Sequence, residues 1–171
     1  MKNEKTSGIQ EFKEYWKNYV FQSLFATLAI FFILLSLSFR EDAVIIASLG
    51  ATTFIVFAMP KQITAKPRNI IGGYIVGFSC GWLCSLIPIE AVMGEPFGYS
   101  LLYAAAVGLS IFIMVVFDME HPPASGVALG VAIKGFSLEV IISIIASVVI
   151  LTIIHQFFKK YLRDLTGLLQ N

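Results

Sequence analysis

The chain has 171 residues, enough for one domain of ordinary size and not for two. Hydrophobic residues make up 57% and charged residues 13%, with mean hydropathy +0.82, against about 45–50% and about 25% in a soluble domain. This excludes an ordinary soluble fold. The net charge of +1 comes from charged tails around a nearly bare middle and gives no basis for nucleic-acid binding.

Residues 1–19 carry Lys2, Lys5, Lys13 and Lys17 among Glu4, Glu11 and Glu14. They do not read as a signal peptide, because the apolar stretch that follows is too long. Ile9, Phe12, Trp16 and Tyr19 recur at helical spacing, which predicts an amphipathic cytoplasmic helix at the membrane surface leading into the first span. Six apolar segments follow. The first runs over 20–39 and ends at Arg40-Glu41-Asp42. The second, 43–59, ends at Pro60. The third covers 69–87, the fourth 99–117, the fifth 122–133 and the sixth 138–158. A spanning helix needs about 20 residues, so the second segment is borderline and the fifth is short. Residues 159–171 form a basic tail.

Charge decides how the segments are counted. With six crossings and both termini cytoplasmic, ten of the twelve basic residues lie inside, and only Arg40 and Lys134 lie outside. If segments two and five merely dip in and return, Lys61, Lys66 and Arg68 move outside and the split falls to seven against five. The positive-inside rule therefore predicts six crossings. The loop from Pro88 to Gly98 agrees, holding Glu90 and Glu95 but no Lys or Arg. Two sets of three segments must run in opposite topology. Each set has a long span ending in acidic residues (Glu41 and Asp42; Asp118 and Glu120) followed by a small-residue segment with the pattern Ala-Ser-x-x-Ala, at 47–51 and 124–128. The predicted fold is an all-α membrane protein of two inverted three-segment repeats, with short or broken helices at segments two and five.

In the third segment Gly73, Gly77 and Gly81 stand four apart, a surface that lets another helix approach closely, within the bundle or between subunits. Cys80 and Cys84 share a helix face with poor geometry for a disulfide and read as small packing residues. His155, near the end of the last span, reads as an interfacial or helix-end residue.

The chemistry concentrates at His121-Pro122-Pro123. Two prolines stop a continuous helix, yet suit the first turn of a new one. Neither carries an N–H, so the first free backbone donors are predicted at Ala124, Ser125 and Gly126, with the Ser125 hydroxyl and the His121 ring beside them. Helix N-termini bind small anions by such donors. A facing break near Ser48, Gly50, Ala51 and Thr52, extending to Thr53, would supply a second set. The result is a two-sided site for a small inorganic anion, without a full positive charge, from which the anion could leave again. No catalytic constellation and no nucleotide-binding loop appears, and no cofactor is called for. Two alternatives stay open: a non-transport scaffold or sensor whose helices only pack, and a metal-dependent membrane enzyme using Asp118, Glu120 and His121.

The stretch His121-Pro122-Pro123-Ala124-Ser125-Gly126 resembles the signature of the HPP family of integral membrane proteins. Ser48-Leu49-Gly50-Ala51-Thr52-Thr53 is similar to that family's earlier small-residue block, and Pro67-Arg68-Asn69-Ile70-Ile71-Gly72-Gly73 to its P-R-N-x-x-G-G block. The resemblance covers residues 20–158, which it marks as a transmembrane HPP domain. Plant plastid and cyanobacterial members are linked to nitrite transport, so the resemblance implies nitrite as the substrate. The chain is read as a multi-pass protein of a bacterial-type inner (plasma) membrane with both termini cytoplasmic. Six short spans make a thin bundle, which suits a homodimer.

Overall fold

The computed structural model describes residues 8–36, 43–89 and 93–166. Arg40, Glu41, Asp42 and Glu90, used above in the charge and repeat patterns, lie outside the described residues. Six α-helices are described: α1 (Gly8–Ser36), α2 (Ala43–Ala58), α3 (Pro67–Ser85), α4 (Phe97–Val116), α5 (Pro122–Lys134) and α6 (Leu138–Phe158), with a 3-10 turn at Ile63–Ala65. Among the described residues there is no strand. Three stretches, Phe12–Leu35, Phe97–Val116 and Leu138–Phe158, are long and apolar enough to cross a membrane.

The boundaries follow from local chemistry. Pro67 and Pro122 occupy first-turn positions, where a missing N–H costs nothing, each preceded by an extended residue, Lys66 or His121. α6 starts at Ser137, whose hydroxyl accepts from the Val140 N–H. α4 ends in a left-handed residue, Asp118 at φ 52. Around it the Asp118 N–H reaches the Val115 carbonyl and the Met119 N–H the Met114 carbonyl, the paired bonds of a Schellman motif. α5 stops at Gly135, at φ 80.

Within the described residues the N-terminal region is helical and leads directly into the first span. It is the first part of α1, with a kink where Tyr15 leaves helical geometry (φ −117, ψ 22). Segments two and five are short, as expected: 16 and 13 residues, or about 24 and 20 Å against a hydrocarbon core of about 30 Å. Both, however, are continuous helices. The expected break near Ser48 is absent, because small residues pack inside a helix without interrupting it. The Ser48 and Thr53 hydroxyls donate back to the Val44 and Leu49 carbonyls of their own helix.

Close contacts fix the packing directions. A β-carbon added at Gly73 would meet the His121 side chain at 2.7 Å. One at Gly77 would strike the Ala124 carbonyl, and one at Gly81 the Ala128 carbonyl at 2.5 Å. The glycine face of α3 therefore lies along α5, parallel to it and within the bundle, with α5 carbonyl oxygens seated on glycine backbone. Gly126 abuts Ser48 and Gly130 abuts Val44 and Ile45, so α2 runs antiparallel to α5. Leu49, Val56, Ile70, Val127, Ile144 and Leu151 form the core between these helices. Cys80 and Cys84 are free and buried, Cys84 in a second cluster with Leu102, Ala106 and Ala132. Large apolar side chains such as Phe31, Phe32, Leu35, Phe112 and Phe157 face outward, as a lipid-facing surface requires.

Residues 159–166 strap one end of the bundle. Gln22, buried in the apolar run of α1, donates to the Arg163 and Phe57 carbonyls and accepts from the Arg163 N–H. The Leu165 N–H reaches the Ala58 carbonyl, Tyr19 donates to the Leu165 carbonyl, and the Arg163 guanidinium lies 3.6 Å from the Tyr15 ring centroid. His155 is buried, not interfacial, and its Nε2 donates to the Pro60 carbonyl at 2.8 Å.

Candidate functional site

α2 is apolar apart from Ser48, Thr52 and Thr53, and all three are buried. Ser48 and Thr52, four apart, share a helix face. Thr52 differs from its neighbours in that its hydroxyl leaves its own helix. It lies 2.7 Å from the Tyr74 hydroxyl and 2.9 Å from His121 Nε2. Tyr74 comes from α3 and also reaches the Ser48 carbonyl at 3.3 Å. His121 is fully buried at the start of α5, placed there by its extended backbone and by the missing side chain of Gly73. Its Nδ1 lies 2.9 Å from the Thr64 carbonyl in the loop between α2 and α3. That oxygen can only accept, so Nδ1 carries the proton, and in the neutral ring Nε2 accepts from Thr52. A chain of four groups thus joins α2, α3, α5 and one loop at a single buried node.

Among the described residues no charged side chain enters the node. Glu120 is turned toward Asn69, whose amide lies 3.3 Å from its carbonyl and 3.4 Å from its carboxylate. Arg68 donates to the Phe117 carbonyl at 2.8 Å. Asp118 is on the exposed turn after α4. Asp118, Glu120 and His121 therefore do not converge, and among the described residues no three His, Cys, Asp or Glu side chains are placed to hold a metal ion.

The structure brings together part of the predicted set. His121 and Thr52 meet directly; Ser48 contributes its carbonyl, and its hydroxyl touches Gly126. The free donors predicted at Ala124, Ser125 and Gly126 are a correction. The Ala124 N–H already donates to the His121 carbonyl at 2.9 Å, and from Ser125 onward the regular helix ladder takes over. With Pro122 and Pro123 lacking an N–H, the first turn of α5 offers no backbone donor. The Ser125 hydroxyl donates to the Pro122 carbonyl at 2.7 Å. Gly50 and Ala51 are not brought to the node; both lie on the exposed face of α2. Tyr74 and Thr64 were missed. A tyrosine inside the glycine face of an apolar segment was a usable signal for the first; nothing local marked the second.

One cavity borders the node and a second lies well away from it. A groove of about 210 Å³ between α3 and α6 is lined by Ile71, Ile75, Phe78, Ile144 and Val148, with the Tyr74 ring shared between groove and node. At the opposite end of α3 and α5 lies a more polar cavity of about 380 Å³, lined by Ser85, Tyr99, Tyr103, Ala132, Lys134 and Gly135. The eleven residues of α5 from Pro122 to Ala132 separate it from the node by about 16 Å. The Cys84, Leu102, Ala106 and Ala132 cluster fills that end of the interval.

Comparison with known proteins gives a consistent but coarse picture. Residues 12–164 match the family model described as HPP, transmembrane region. Two proteins of Dictyostelium discoideum, both described only as transmembrane proteins, are similar over half of the chain. One is 35% identical over 86 residues (50% of this chain, 29% of the relative), the other 31% identical over 90 residues (53% and 28%). The matched stretch thus spans less than a third of either relative's own length. No solved structure matches.

Proposed function

The chain belongs to the HPP transmembrane family, and on that premise we propose that it is a transporter or channel for a small inorganic anion, with nitrite as the first candidate. The observation that carries this is the buried node of His121, Thr52 and Tyr74 in the middle of an apolar bundle. An ionisable side chain inside a membrane domain is costly to keep and marks a solute or ion pathway by default. The donors offered to an anion are the Thr52 and Tyr74 hydroxyls and the imidazole, not a helix terminus. The polar cavity beside Lys134 serves as the vestibule on the far side, and the small apolar cluster beneath it closes the path in this conformation. The name nitrite rests on the family resemblance.

The same reading takes all six helices as crossings with both termini cytoplasmic, in a bacterial-type plasma membrane. It takes the antiparallel contact of α2 with α5 as the axis of an inverted repeat. A homodimer completes the thin bundle.

One observation favours a second reading, a scaffold or sensor: every group of the node is satisfied without a solute. Purified protein in liposomes separates the two. Nitrite flux above protein-free vesicles supports transport; correctly folded protein that moves neither nitrite nor related anions sinks it.

A further inference from the structure

The node can hold its protons in two orders without moving a heavy atom. In the first, Tyr74 donates to Thr52, Thr52 donates to His121 Nε2, and Nε2 is an acceptor. In the second, Nε2 carries a proton and donates to Thr52, Thr52 donates to Tyr74, and Tyr74 donates to the Ser48 carbonyl. Every donor has an acceptor in both orders, and Nδ1–H stays on Thr64 throughout. A side chain present only to pack needs one such order; this chain of contacts provides two.

From this geometry we infer that His121 takes up and releases a proton by reversing the chain, so that the anion moves together with a proton. The inference rests on the transport reading. On uptake a proton adds to the Nε2 lone pair, the Thr52 O–H swings from Nε2 to Tyr74, and the Tyr74 O–H swings to the Ser48 carbonyl; release reverses each swing. Anion and proton help each other, because a buried imidazolium needs a counter-charge and the uncharged node offers the anion none. The binding of each strengthens the other. The surroundings leave the exchange to the anion. α2 presents only hydroxyls, and α3 presents Tyr74, with Arg68 held on Phe117. Glu120 is turned to Asn69, Asp118 and the loop residues Lys61 and Lys66 are exposed, and His155 of α6 is held on Pro60.

The test uses ¹⁵N-histidine NMR of the whole protein in nanodiscs, with sodium nitrite as the probe. The two histidines separate by tautomer: His121 is expected as Nδ1–H and His155 as Nε2–H. Nitrite is expected to raise the His121 titration midpoint by at least about one pH unit, a tenfold coupling. Thr52→Val is expected to abolish the shift, and Tyr74→Phe to reduce it, since Thr52 can then turn to its own helix's Ser48 carbonyl. In liposomes a trapped pH dye, corrected for protein-free vesicles, is expected to show proton movement in step with nitrite. An Nε2–H tautomer at His121 overturns the relay. So does nitrite flux without a nitrite-dependent midpoint or without proton movement. Absence of any flux overturns the transport reading itself, and the coupling with it.

Discussion

Thr52→Val and Thr53→Val form a matched pair. Both residues are buried on α2, both changes preserve shape, and each removes one hydroxyl. Thr53 gives only a bond back to the Leu49 carbonyl, which the helix ladder already uses, so its loss costs at most about 0.5 kcal/mol. Thr52 makes two contacts between helices, 2.7 Å to Tyr74 and 2.9 Å to His121. Such bonds within membranes average about 0.6 and reach about 1.7 kcal/mol each. Tyr74 keeps the Ser48 carbonyl as a fallback, whereas His121 Nε2 is left without its partner. The expected cost of Thr52→Val is about 1–3 kcal/mol, or about 2–12 °C in apparent melting temperature at about 2–4 °C per kcal/mol. Thermal unfolding in detergent, followed by the fluorescence of Trp16 and Trp82, reads this directly. A Thr52→Val/Tyr74→Phe cycle should show a coupling of about 0.5–1.5 kcal/mol. Equal melting temperatures for the two valine variants, or a zero coupling, would refute the node.

Three further outcomes follow from the packing. Gly77→Ala places a β-carbon against the Ala124 carbonyl and should destabilise by more than about 2 kcal/mol, while Gly108→Ala, with nothing within 4 Å, should stabilise by about 0.5–1 kcal/mol; apparent melting temperatures check both signs. Gln22→Ala removes the bonds that hold the C-terminal strap and should speed tryptic cleavage after Lys159, Lys160 and Arg163, read by mass spectrometry, at least about tenfold. Asp118→Gly relieves a left-handed residue at the end of α4 and should raise stability by about 1 kcal/mol in the same thermal assay.

The helices were legible where the signal was local. Apolar run lengths placed α2 through α6 within about two residues at each end, and Pro122 marked the start of α5. The glycine face of α3 was visible as a packing surface, and the structure places its partner inside the bundle. The site was only half legible. His121 and Thr52 stood out as polar residues in small-residue blocks, but their meeting joins positions 69 apart, and no periodicity encodes that pairing. The donor prediction failed because it counted helix-terminal N–H groups without following where each one goes. The two prolines that open α5 also strip its first turn, and the His121 carbonyl takes up what remains. The break expected near Ser48 failed because small residues permit close approach as readily as they permit interruption. Gln22 is the one amide side chain in the apolar run 20–36, a signal of the same kind as Tyr74.

The initial rate of nitrite flux in liposomes, compared among wild type, Thr52→Val and Thr53→Val at equal protein, bears most directly on the node as the working site. The expected result is flux in wild type and Thr53→Val, and a loss of about tenfold or more in Thr52→Val, equivalent to about 1.4 kcal/mol of barrier. Equal rates in all three, or no flux in folded wild-type protein, would contradict it.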